Sequence, residues 1–169
     1  QAAKKRNFGL TFFESSVTPP LLSPAMLEDH VVPVLKHIFD NVTSSDEERP
    51  HLIIGGDTVS IVEGMIACEP SYIICPCETD QDAFLEKMKK TSLPRVRVNM
   101  KPDVFCGDDI TAVKQEVERT AQLAARCDAA ISIGTIIPYN AKTPFVKSAY
   151  TALWELAEKD SRIMIPERY

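Results

Sequence analysis

The sequence predicts an α/β fold of about five βα units, the C-terminal part of a (β/α)8 TIM barrel. Short apolar runs rich in β-branched residues alternate with longer segments of helical periodicity. The clearest unit is residues 50–58, where an apolar run ends at two glycines and a helical pattern follows. A whole barrel needs about 250 residues. Five units in 169 residues therefore fit a barrel without its N-terminal units, supplied by the same or a companion chain.

Each predicted strand precedes a predicted helix. The predicted strands are residues 10–15, 51–54, 72–75, 95–100 and 129–133. The helix after the first strand starts at Ser23-Pro24, because serine is a good N-cap and proline suits the first turn. Pro33 should kink or divide it. The later helices are residues 58–68, 80–90, 109–126 and 143–158.

Two helices show their buried side by spacing. The helix of residues 109–126 carries an apolar stripe, made of Ile110, Val113, Val117, Ala121 and Ala124 or Ala125. Trp154, at helical spacing with Tyr150, Leu153 and Ala157, is expected in the core. An open doubly wound sheet also fits the alternation of strands and helices. No Gly-x-Gly-x-x-Gly follows a predicted strand, which disfavours a dinucleotide-binding fold.

Composition narrows the class of protein. The net charge is −5, whereas proteins that bind nucleic acid without sequence preference are usually basic. No apolar run approaches the ~20 residues that a membrane helix needs. Five cysteines, an odd number, suggest reduced thiols in the cytoplasm rather than a disulfide framework. Residues 1–6 resemble the last turns of a helix, so we expect a longer or split polypeptide. We expect neither nucleic acid nor membrane as a partner.

An ordered set of short motifs gives a more specific expectation. The motifs are Phe12-Phe-Glu-Ser15, Leu22-Ser-Pro24 with Pro33 in the same helix, Ile54-Gly-Gly-Asp-Thr58, Val96-Arg-Val-Asn-Met100 and Ile133-Gly-Thr-Ile-Ile-Pro-Tyr139. Together, over roughly residues 9–158, they resemble the uroporphyrinogen decarboxylase superfamily. The resemblance implies a (β/α)8 barrel with its site at the carboxyl ends of the strands.

The same resemblance implies two activities. The first is methyl transfer between a small methylated compound and a corrinoid (cobalamin) held by a partner protein. We expect this one, since the loop of residues 16–22 resembles the methyltransferase-like members. The second is decarboxylation of uroporphyrinogen, which needs basic groups where this chain offers mainly Lys101. A third hypothesis for the function is a non-catalytic half barrel that binds or assembles with other proteins.

Polar residues at predicted strand ends are the site candidates. Glu14 ends the first strand and can bind metal or accept a proton, so it is a catalytic candidate. Asp57 follows the second strand and is expected to cap a helix at Thr58, with a second, catalytic role. Gly55-Gly56 predicts a tight turn. Ser15 matches a substrate-contacting serine of the decarboxylases.

Further substrate-binding candidates follow the last two strands. Asn99 and Lys101 lie at the end of the fourth strand, where Lys101 can hold a carboxylate or phosphate or simply be solvated. Tyr139 and Asn140 lie in the last loop, which forms a ligand wall in many barrels.

Cys75 and Cys77 are the candidate metal ligands. Thiols two residues apart on an extended segment point to the same side, and thiolates suit zinc. The alternative is two buried cysteines that pack as small apolar residues. Zinc-dependent members of the superfamily carry His-x-Cys where this chain has Ile53 and Gly55. His51, at a strand start, is expected to be structural.

Overall fold

The computed structural model describes residues 10–14, 16–43, 49–89, 95–126 and 131–163. Its strands are β1 (Thr11–Glu14), β2 (His51–Ile54), β3 (Tyr72–Cys75), β4 (Arg95–Asn99) and β5 (Ile131–Gly134). They form one five-stranded parallel sheet, in which the strand order follows the chain from β1 to β5. The predicted α/β class, with alternating strands and helices along a parallel sheet, is confirmed.

Helical segments separate the strands. They are α1 (Pro24–Met26), α2 (Val32–Val42), α3 (Val62–Ala67), α4 (Gln81–Met88), α5 (Ile110–Ala124) and α6 (Thr143–Ala157). A π-helical segment, Leu27–Val31, joins α1 to α2, and a 3-10 helix, Pro102–Phe105, follows β4.

The first helical stretch starts and divides as its sequence predicts. The hydroxyl of Ser23 accepts a hydrogen bond from the backbone N–H of Met26 at 3.2 Å, so Ser23 is the N-cap. The π-helical segment ends at Val31, directly before the turn of α2 that contains Pro33. Proline cannot donate the hydrogen bond that a continuous α-helix needs at this position, so the helix is interrupted there.

The described residues up to Val96 form one compact unit, and the described residues from Arg97 form another. In the first unit, β2 lies between β1 and β3, with His51 opposite both Thr11 and Tyr72. Leu52 and Ile54 of β2 are fully buried. They line one tightly packed space with apolar residues of the helices, namely Leu27, Val31, Val32, Leu35, Met65 and Cys68.

The opposite face of β1 and β2 is open. Phe13 on this face is 65% exposed. His51 shares the face, where its ring lies 4.9 Å from that of Tyr72 and its Nδ1 lies 3.5 Å from the hydroxyl of Thr11. Partial burial lowers the pKa of His51. These contacts agree with a structural role for the histidine.

The core of the second unit lies between β5, residues 100–105, α5 and α6. Its buried members are Met100, Phe105, Val113, Val117, Phe145, Ala149 and Ala152. The predicted stripe of α5 is buried except for Ile110, which is 41% exposed because it occupies the first position of the helix. Trp154 is half-buried, so it lies at the edge of the core that was predicted for it. Tyr150, one turn earlier in α6, is 56% exposed.

Several predicted boundaries need correction. The helix predicted from Thr58 begins only at Val62. Strand β4 ends at Asn99, and β5 extends to Gly134. Helix α5 begins after Asp109, which caps it through a hydrogen bond from the Thr111 backbone N–H. The predicted start of β5 at residue 129 and end of α4 at residue 90 lie outside the described residues.

Candidate functional site

The carboxyl ends of β2 and β3 are joined through Thr79. Its hydroxyl accepts hydrogen bonds from the backbone N–H groups of Thr58 and Val59 at 3.2 and 2.9 Å. It donates one to Oδ1 of Asp57 at 2.8 Å. Thr79 is buried, so little water competes for these bonds. We call these four residues the Thr79 cluster, in which one hydroxyl uses its full capacity of one donor and two acceptors.

The prediction that Asp57 caps a helix at Thr58 was therefore wrong. The backbone groups that such a cap would hold are held by Thr79, 21 residues further along the chain. The chain turns through Ile61, which precedes α3 without a side-chain cap. Asp57 is exposed, and among the described residues its Oδ2 has no hydrogen-bond donor. This oxygen can accept a hydrogen bond or a proton from a ligand.

The tight turn predicted at Gly55-Gly56 is confirmed. Gly56 has a φ of +81°, a conformation that glycine adopts without strain. A Cβ atom added to Gly56 would lie 3.1 Å from the hydroxyl oxygen of buried Thr18. The turn therefore positions Asp57 next to the end of β2.

Glu14 is engaged locally at the end of β1. Its Oε1 accepts a hydrogen bond from the backbone N–H of Ser16 at 2.8 Å. The side chain is half-buried, and this bond gives it a role in the turn that follows the strand. Ser15, the predicted substrate-binding serine, lies outside the described residues.

Cys75 and Cys77 lie in different environments at the end of β3. Cys75 ends β3 and is fully buried, whereas Cys77 lies in the turn after the strand. No group of three or more His, Cys, Asp or Glu side chains suitable for a metal ion occurs among the described residues. Zinc takes four protein ligands in structural sites and three in catalytic sites. The described residues alone do not complete such a set, and the metal role of Cys75 and Cys77 stays a prediction.

The predicted candidates after β4 have different environments. Asn99 is only 7% exposed, and its Oδ1 accepts a hydrogen bond from Nε of Arg97 at 3.0 Å. Lys101 is exposed, and its backbone N–H donates to Oε1 of Glu116 at 2.9 Å. Asn99 therefore orients a neighbouring side chain, while the backbone of Lys101 is anchored to α5.

Glu116 is a buried carboxylate that holds this anchor. Burial alone would raise its pKa, but hydrogen bonds from Arg119 and the Lys101 N–H, and the positive charges of both residues, outweigh burial and lower it. Arg119 donates to both carboxylate oxygens, at 2.7 and 2.6 Å. Glu116 is thus ionised, and both of its oxygens accept hydrogen bonds, which indicates a structural role.

Arg97 is the feature that sequence analysis missed. It lies on the face of β4 opposite Val98 and Met100, which are buried. Its stem lies against Gly134, and a Cβ added to that glycine would be only 2.6 Å from Cδ of Arg97. The side chain is half-buried, and Nε is fixed by Asn99. No carboxylate among the described residues pairs with its guanidinium. We call Arg97, Asn99 and Gly134 the Arg97 site.

The other predicted loop residues are less constrained. Tyr139 is fully exposed. Asn140 is exposed, and its Oδ1 accepts a hydrogen bond from the thiol of Cys106 at 3.2 Å. Neither residue is brought to the Arg97 site by a contact that the structure records.

A cavity of about 190 Å³ lies between β5 and α6 in the second unit. Its lining is mostly apolar, and consists of Met100, Phe105, Ile133, Gly134, Thr135, Ile137, Val146, Ala149, Tyr150, Leu153 and Ile163. The hydroxyl of Thr135 donates to the carbonyl of Met100 at 3.0 Å. The cavity therefore offers volume but little polar recognition.

Comparison with protein family models, curated proteins and solved structures found no match. Each helix in the described residues is too short or too polar to cross a membrane. The resemblance to the uroporphyrinogen decarboxylase superfamily therefore depends on the sequence motifs alone.

Proposed function

We propose that the chain supplies five consecutive βα units of a (β/α)8 barrel. The observation that carries this proposal is the strand order, which runs from β1 to β5 without reversal. Doubly wound sheets reverse their strand order, whereas right-handed crossovers in sequential order bring all helices to one face. The open face at Phe13 supports the same arrangement. The remaining units come from the same polypeptide or from a companion chain.

The activity that we propose is methyl transfer between a small methylated compound and a corrinoid carried by a separate protein in the cytoplasm. The sequence motifs support this activity, and the polar groups at the strand ends supply substrate contacts. The corrinoid would supply a cobalt nucleophile that accepts the methyl group. The chain would bind the methylated compound, orient it and exclude water, which are the contributions expected where donor and acceptor must be aligned.

Within that activity, Asp57 is the residue that we expect to contact the substrate in the first unit. It is exposed, it follows β2, and Thr79 fixes one of its oxygens at 2.8 Å. The second oxygen can carry the proton that the heteroatom takes up when its bond to the methyl group breaks. Glu14 is the second candidate, with one oxygen engaged by Ser16. No step is assigned to zinc, because the described residues contain no group of three or more His, Cys, Asp or Glu side chains suitable for a metal ion.

Decarboxylation of uroporphyrinogen is the second candidate, and one observation favours it. A substrate with many carboxylates needs cationic partners, and the guanidinium of Arg97 has no carboxylate partner among the described residues. A single arginine is a small part of such a site, so we rank this activity below methyl transfer.

The test is an assay of both activities on one preparation. Cob(I)alamin and either methoxybenzene or trimethylamine are mixed with the protein, and consumption of cob(I)alamin is followed by absorption. Uroporphyrinogen is supplied separately, and release of carbon dioxide is measured. Methyl transfer predicts consumption that requires both protein and methyl donor, and that falls about 100-fold in Asp57→Asn. Carbon dioxide release alone would identify the decarboxylase, and neither result would favour a binding or assembly subunit.

The size of the native particle tests the barrel itself. A particle that contains the remaining βα units, in the same polypeptide or in a companion chain, supports the proposal. A monomer of this chain alone that is fully active would contradict it.

A further inference from the structure

We propose that the Arg97 site binds the carboxylate group of a small organic acid. Arg97 and Asn99 lie on the same face of β4, since residues two apart in a strand share a face. Val98 and Met100 point to the other face, where Met100 belongs to the core with α5 and α6. Arg97 therefore lies on the face of β4 opposite this core.

Two contacts hold the side chain of Arg97 in place. Nε donates to Oδ1 of Asn99 at 3.0 Å, two residues further toward the carboxyl end of the strand. The stem of Arg97 occupies the space that a side chain on Gly134 would fill. These two constraints fix the stem and Nε of Arg97. An arginine held in place before binding loses less conformational entropy when a ligand arrives.

The guanidinium of Arg97 differs from those of neighbouring arginines in its partners. Two other arginines of the second unit form ion pairs, Arg119 with Glu116 and Arg162 with Asp160. Among the residues that the structure describes, Arg97 has no such partner, and its recorded hydrogen bond uses Nε alone. The two Nη atoms therefore keep their donors for a ligand. That edge of the guanidinium matches the two oxygens of a carboxylate with parallel hydrogen bonds.

A monocarboxylate fits better than a phosphate. The site provides one positive charge and one fork of donors. Phosphate groups carry up to two charges at neutral pH and are usually held by several donors, such as backbone N–H groups at a glycine-rich loop or helix start. No such loop lies beside Arg97 in the described residues. The inference rests on this geometry and not on methyl transfer, so it stands or falls without a corrinoid.

Binding is measured by calorimetric titration of the intact chain with benzoate, with benzamide as the neutral analogue and inorganic phosphate as the competing anion. We expect benzoate to bind at least tenfold more tightly than benzamide, because the amide lacks the charge and one acceptor. Arg97→Gln should weaken benzoate binding by about tenfold or more. Arg162→Gln, which changes an exposed arginine that already pairs with Asp160, is the control and should leave binding unchanged.

Arg97→Lys covers the possibility that the glutamine variant fails to fold. It keeps the positive charge but loses the fork, so benzoate affinity should fall by about threefold or more. Equal benzoate affinity in wild type and either Arg97 variant would overturn the proposal. Benzamide binding as tightly as benzoate, or phosphate binding more tightly than benzoate, would overturn it as well.

Discussion

The Thr79 cluster of the first unit and the Arg97 site of the second unit are both made of polar side chains at or near strand ends. In the Thr79 cluster, the hydroxyl makes three hydrogen bonds, and two of them satisfy backbone N–H groups of the turn after β2. In the Arg97 site, Asn99 takes one donor of the guanidinium and the structure records no acceptor for the others. The hydrogen bonds of the Thr79 cluster stabilise the fold. The Arg97 site keeps hydrogen-bond donors that a ligand can use.

This difference shows that a polar residue at a strand end can have one of two roles, in stability or in ligand binding. Such residues are often assigned to function because loops at strand ends carry active sites. A side chain whose donors and acceptors are met by the protein contributes to stability. One that is held in place with unused donors has something to offer a ligand. The two regions should therefore respond to mutation in opposite ways.

The largest expected effect is on the Thr79 cluster. Thr79→Val keeps the shape of the side chain but leaves the Thr58 N–H, a buried donor, and the Val59 N–H without their acceptor. We expect the free energy of unfolding to fall by about 3 kcal/mol, since each unsatisfied buried group costs about 1–3 kcal/mol. Thr79→Ser retains the hydroxyl and is the matched control. Urea denaturation measures both, and a valine variant as stable as wild type would contradict the role given to Thr79.

Glu116 tests whether a buried charge in the second unit is equally structural. Glu116→Gln removes the charged partner of Arg119, so we expect a loss of about 2 kcal/mol at neutral pH. The pKa of Glu116 lies below its ordinary 4.5 in the folded protein. The carboxylate therefore stabilises the fold above the unfolded pKa, and this stability is lost as pH falls through the lowered folded value.

Wild-type stability should consequently drop more steeply than that of Glu116→Gln between neutral pH and about pH 3. Urea denaturation across this range gives the two curves. Parallel curves would show that Glu116 does not supply the acid sensitivity.

Gly134 tests how tightly Arg97 is positioned. Gly134→Ala places a methyl group 2.6 Å from Cδ of Arg97, so the flexible side chain must move. Because a side chain yields more easily than backbone, we expect a stability loss of about 1 kcal/mol. Benzoate affinity should fall more clearly, by about threefold or more, since the guanidinium loses its direction. Gly55→Ala is the control, because a Cβ there meets nothing within 4 Å.

The smallest expected effect on stability is at Asp57. Asp57→Asn retains an oxygen that accepts the Thr79 hydroxyl, and the side chain is exposed. The free energy of unfolding should change by no more than about 0.5 kcal/mol. A large loss of stability would place Asp57 with Thr79 as a structural residue, and would weaken the case for its catalytic role.

The sequence was informative where structure depends on local pattern. β2 and β3 have the predicted bounds, and Ser23 caps the first helical stretch. Both features depend on residues close together in the chain, such as the spacing of apolar residues and the Ser-Pro pair at the helix start. The start of α3 was missed because the group that holds the preceding turn is Thr79, far along the chain. Arg97 was missed because an arginine in a strand indicates only that buried and exposed side chains alternate there. Whether it has a carboxylate partner depends on the tertiary fold.

The most direct test compares Thr79→Val and Arg97→Gln in urea denaturation with and without benzoate. A ligand at ten times its Kd adds about 1.4 kcal/mol to the free energy of unfolding. Wild type and Thr79→Val should both gain this stability, although the valine variant starts lower, whereas Arg97→Gln should start near wild type and gain none. If Arg97→Gln gains as much from benzoate as wild type, the ligand does not bind at Arg97 and the contrast between the two regions is wrong.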